Sequence, residues 1–142
     1  MSQIQSAIFS EIAASNNAVS PNGAPEGMAS SGYNDTLREI MSAIKIEYNR
    51  SHATVTASGT ADALALTYGV SPGAYTAGLT FRFYKNASNN TGAVTLNVNS
   101  IGAVAVVRRN GITALVGGDM VSGSLYDVTY DGTSFRLHIS GI

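Results

Sequence analysis

From His52 onward, apolar and polar residues alternate with a period of two and β-branched side chains become frequent, as in half-buried strands. The pattern predicts strands over residues 53–57, 63–68, 79–84, 93–97, 104–108, 125–130 and 134–139. Leu79, Phe81 and Phe83 share one face against Thr80, Arg82 and Tyr84. Val94, Leu96 and Val98 oppose Thr95, Asn97 and Asn99, and Phe135, Leu137 and Ile139 oppose Arg136 and His138. Strands with one apolar and one wet face belong to antiparallel sheets. Asp131-Gly132 and Asn110-Gly111 read as hairpin turns, and Pro72-Gly73 suits the centre of a type II turn. Short strands with turns between them imply a small antiparallel β-sandwich or barrel over residues 52–142.

Before that domain the period is helical. Leu37, Ile40, Met41, Ile44 and Tyr48 follow at i, i+3, i+4, i+7 and i+11, one apolar stripe on a helix predicted over residues 35–50. Asn34 is placed to cap it, Asp35 sits at the positive end of its dipole, and Lys45 and Arg50 sit late. Ile46 projects away from the stripe; it is either a second buried face or a singly exposed residue, and both readings stand. Residues 1–34 read as an attachment arm. Ile4, Ala7, Ile8 and Ile12 have helical spacing, but residues 15–33 are small and polar, with Pro21 and Pro25 favouring extended backbone before them. Gly23, Gly27 and Gly32 permit bends. The whole is mainly β: an extended arm, a short amphipathic helix, then the β-domain.

Composition narrows the function more than it names it. Only 12% of residues are charged, with a formal net charge of −1, so no nucleic-acid or anionic-membrane partner is expected. So few charges in a chain rich in small residues suggest a surface covered by other copies or partners. No cysteine is present, which removes disulfides, zinc-thiolate sites and thiol nucleophiles. No segment has the roughly 20 apolar residues that span a bilayer, and no secretory signal opens the chain. The expectation is a protein made in a reducing cytoplasm, without membrane insertion.

Candidate chemistry is thin. His52 and His138 lack metal-ligand spacing, so no metal or cofactor is expected and solvated histidines are the plainer reading. Asp119, Asp127 and Asp131 do not form the paired-carboxylate pattern of a glycosidase. Arg108 and Arg109 are the candidate contacts to a phosphate or acidic glycan, with Tyr75 a candidate for stacking on a sugar. Their plainer roles are a charged hairpin tip and a half-buried aromatic.

Two blocks resemble a known family. Within residues 16–45, Glu26, Gly27, Met28, Ser31, Asn34, Asp35, Arg38, Glu39 and Met41 match a pattern similar to that in the N-terminal region of tailed-bacteriophage tail fibre and related virion proteins. Residues 78–99 and 118–137 look like the β-domain that follows in such proteins. The resemblance implies a non-enzymatic homotrimeric virion component, made in the host bacterium and located in the phage tail. Pro21, Asn22, Gly23, Pro25, Glu26, Gly27 and Met28 would dock on another tail or portal-proximal protein, and Leu37, Ile40, Met41, Ile44 and Tyr48 would form the trimer interface. Such fibres usually continue into a shaft and tip, whereas this chain stops at Ile142; an adaptor carrying a distal fibre is therefore expected alongside a short fibre. The alternative expectation is a glycan-binding module acting through the loops of the β-domain.

Overall fold

The computed structural model describes residues 25–138. Pro21, Asn22, Gly23, the apolar positions of residues 1–14 and Ile139 lie outside that range. The chain divides into two compact units, residues 1–48 and 49–142.

Helix α1 (Ser30–Ser51, 22 residues) lies in the first unit except for its last three residues. It starts five residues earlier than the pattern predicts, so Asn34 and Asp35 lie inside the helix and do not open it. Tyr33 N donates to Ala29 O at 3.2 Å, the first helical bond, and the first turn holds no acid. Ser30, Ser31 and Gly32 read as loop because they are poor helix formers. A first turn tolerates them because its amide groups have no partner inside the helix in any case. Of the two basic residues expected late, Lys45 and Arg50, Arg50 lies in the last turn.

The second unit is a seven-stranded sheet of β1 (Ser58–Gly59), β2 (Ala63–Leu66), β3 (Thr80–Tyr84), β4 (Val94–Val98), β5 (Ala103–Val107), β6 (Leu125–Tyr130) and β7 (Phe135–Leu137). The spatial order is β1-β2-β4-β5-β7-β6-β3. Six predicted strands appear within a few residues of their expected bounds. The first is reduced to an isolated bridge at Thr56 followed by β1. The sheet is mixed: β1–β2, β3–β6, β4–β5 and β6–β7 are antiparallel as expected, whereas β2–β4 and β5–β7 run parallel.

The sheet curls upon itself. Leu64, Leu66, Phe81, Phe83, Val94, Leu96, Val98, Val106, Val128, Phe135 and Leu137, from six different strands, join one buried cluster. Tyr68, just past β2, stacks on Phe81 of β3 at 5.6 Å although the two strands stand near opposite ends of the sheet order. Residues 55–59 link the two edges. Ala57 N donates to Tyr84 O at 2.8 Å and Tyr84 N to Val55 O at 3.1 Å, and from the next residue, Ser58, β1 pairs with β2. The alternation seen in the sequence is the inside and outside of this half-barrel.

The turns follow their residues. Asn99 and Ser100 both have positive φ, 48° and 61°, and Ile101 N donates to Val98 O, a tight turn between β4 and β5. Between β6 and β7, Asp131 Oδ1 accepts from Thr133 N and Ser134 N, and Arg136 Nε donates to Oδ2 at 2.7 Å. These bonds hold the Asp131 carboxyl well below the usual carboxylate range. Gly73 has φ of 77°, as a type II turn after Pro72 requires.

Candidate assembly surfaces

At 100° per residue the described helix has three faces. Asn34, Asp35, Arg38, Ser42 and Lys45 are polar; Arg38 pairs with Asp35 at 3.2 Å in the open, and Lys45 lies 4.6 Å from the ring centre of Tyr48. Thr36, Ala43 and Ile46 are buried, so Ile46 belongs to a second buried face. The third face is the stripe, and it is exposed: Leu37 41%, Ile40 39%, Met41 69%, Ile44 56% and Tyr48 47%, continued by Tyr33 at 55%. The periodicity therefore identified an apolar face of the helix that stays exposed among the described residues.

Ahead of the helix, Pro25, Glu26, Gly27 and Met28 form a turn, with Gly27 at φ 72°. Met28 Sδ accepts from Thr36 Oγ1 at 4.0 Å, which ties the turn to the second turn of the helix. Pro25, Gly27, Met28, Ser30, Tyr33 and Asn34 line an open cleft of about 440 Å³. The docking-arm residues that the structure describes thus lie beside one end of the exposed stripe.

The expected contacts of the β-domain have other duties. Tyr75 is half-buried: its hydroxyl donates to Gly102 O and accepts from Val98 N, both at 2.8 Å, and its ring packs on Tyr130 and Phe135. Arg108 forms a two-pronged pair with Asp119. Arg109 alone is exposed with no polar partner among the described residues. The three acids weighed as catalytic candidates each meet an arginine: Asp119 with Arg108, Asp127 with Arg82 at 2.6 Å, and Asp131 with Arg136. His138 Nε2 lies 2.9 Å from Thr129 Oγ1 on the outer face of the sheet. Among the described residues no three His, Cys, Asp or Glu side chains group as a metal site, and no helix is long and apolar enough to cross a membrane.

The loops at one end of the half-barrel are joined by a polar network that the sequence reading missed. Asn86 Nδ2 donates to Gly59 O and Thr60 O, and Asn90 Nδ2 donates to Gly92 O and Val116 O. Asn90 Oδ1 accepts from Met120 N, and Asn89 Oδ1 from Ser122 N. Asp62 accepts from Thr91 N, Thr91 Oγ1 and Gly92 N, with the Thr91 bonds chiefly holding its carboxyl below the usual range. The available signal was the cluster of asparagines at 86, 89 and 90. No protein-family model matches the chain, and no curated protein is similar to it.

Proposed function

We propose that the chain is a non-enzymatic structural protein of a bacteriophage tail, a fibre or fibre adaptor that attaches through its N-terminal arm and assembles as a homotrimer through α1. The observation that carries this reading is the exposed stripe Leu37, Ile40, Met41, Ile44 and Tyr48. Five large apolar side chains on one helical face are a strong reason for a partner, since burying each is worth roughly 1.5–3 kcal/mol. Leu37, Ile40 and Ile44 are spaced three and then four apart, the step of a coiled-coil seam. Leucine followed by isoleucine at such seam positions favours three or four strands over two. The resemblance of residues 16–45 to fibre attachment regions points the same way.

Light scattering of the purified protein at micromolar concentration is expected to give a trimer. The double variant Leu37→Asp/Ile44→Asp is expected to give a monomer that keeps the β-domain's near-ultraviolet signal. A monomeric wild type would sink the trimer. Removing residues 1–29, ahead of the helix, is expected to abolish incorporation into particles and leave the trimer intact. Glycan binding that survived this deletion would favour the receptor-binding reading instead.

A further inference from the structure

Lys85 follows β3 directly and is 1% exposed. Its Nζ donates to Asn86 Oδ1 at 2.6 Å, to Ser88 O at 2.8 Å and to Ala61 O at 3.0 Å. An ammonium has three N–H donors, so all three are used, and all three acceptors are neutral oxygens. Burial opposes the charge, while the nearby Asp62 carboxylate favours it. A buried charge survives only where its hydrogen bonds are complete. The acceptors come from separate stretches of chain: Ala61 in the turn between β1 and β2, Asn86 and Ser88 in the connection from β3 to β4. This is the geometry of a small cation held by converging carbonyls.

We propose that these oxygens form a primary-ammonium site whose resident is the chain's own Lys85, and that the ammonium, rather than packing of its carbon stem, locks residues 59–62 to residues 86–92. The inference is independent of any role in a virion. A site of this kind accepts a free ligand once its resident is removed. Lys85→Ala deletes three carbons and the nitrogen, which is the outline of propylammonium.

The test measures the thermal midpoint of wild type, Lys85→Ala and Lys85→Met in propylammonium chloride against sodium chloride of equal concentration. Both variants are expected to melt below wild type in sodium chloride. Propylammonium is expected to raise the midpoint of Lys85→Ala saturably and to leave wild type and Lys85→Met unmoved. A Lys85→Met variant as stable as wild type, or a Lys85→Ala variant indifferent to the amine, overturns the proposal. If Lys85→Ala does not fold alone, refolding with the amine gives the same decision: recovery supports the site and failure in both salts overturns it. Wild type supplies a second readout, because Lys45 and Lys85 are the chain's two lysines. Native-state acylation followed by mass spectrometry is expected to label Lys45 and spare Lys85; equal rates at both overturn the proposal.

Discussion

At single residues the structure separates groups that fit their surroundings from groups that do not. The Tyr68 hydroxyl is buried without a hydrogen-bond partner among the described residues, and burial pushes its pKa up to about 12. Tyr68→Phe removes the unsatisfied oxygen and keeps the stack on Phe81. The variant is expected to be neutral or more stable by about 1 kcal/mol in chemical denaturation; a loss of that size would mean that the hydroxyl has a partner. Gly59 is the opposite case. Its φ is 89°, and a Cβ there would stand 2.2 Å from Ala63 O. Gly59→Ala is expected to lose at least about 1–3 kcal/mol, from backbone strain and displacement of the turn into β2. A wild-type denaturation midpoint would refute that. The core residues were legible because burial on one side imprints alternation on the sequence. Lys85 was not, since two of its acceptors are main-chain carbonyls, which any residue supplies.

Among the elements, β6 has the predicted bounds, Leu125–Tyr130, because Tyr126, Val128 and Tyr130 alternate with Asp127 and Thr129 and a turn follows at once. Strand order was illegible. The parallel β2–β4 and β5–β7 ladders join segments far apart in the chain, and periodicity reports only which face of a strand is buried. The start of α1 was hidden because Ser30, Ser31 and Gly32 are poor helix formers that a first turn nonetheless tolerates. The β6–β7 turn supports a prediction with a definite sign. The carboxyl of Asp131 titrates below its ordinary value of 3.8 in the fold. Its contribution to stability is therefore present above that value and is lost as pH falls towards the depressed one. Asp131→Asn is expected to melt below wild type near neutral pH, with the gap closing in acid. A gap independent of pH would show that the charge does not matter there.

For the whole molecule, the stripe on α1 was visible as a periodicity, yet periodicity does not say what covers an apolar face. Only the structure distinguishes the side with Ala43 and Ile46, buried in one chain, from the side with Leu37 and Ile44, exposed on it. If copies cover the second side, the helical unfolding transition is expected to shift to higher temperature as protein concentration rises, by mass action. A midpoint constant over a hundredfold range would deny association. The link between the sheet edges has a mechanical consequence. Tension applied through α1 enters the half-barrel at residues 55–59, where two main-chain bonds to Tyr84 and the two-residue β1 meet the load before any longer ladder does. Under force along that path, the seam at residues 55–59 is expected to part first.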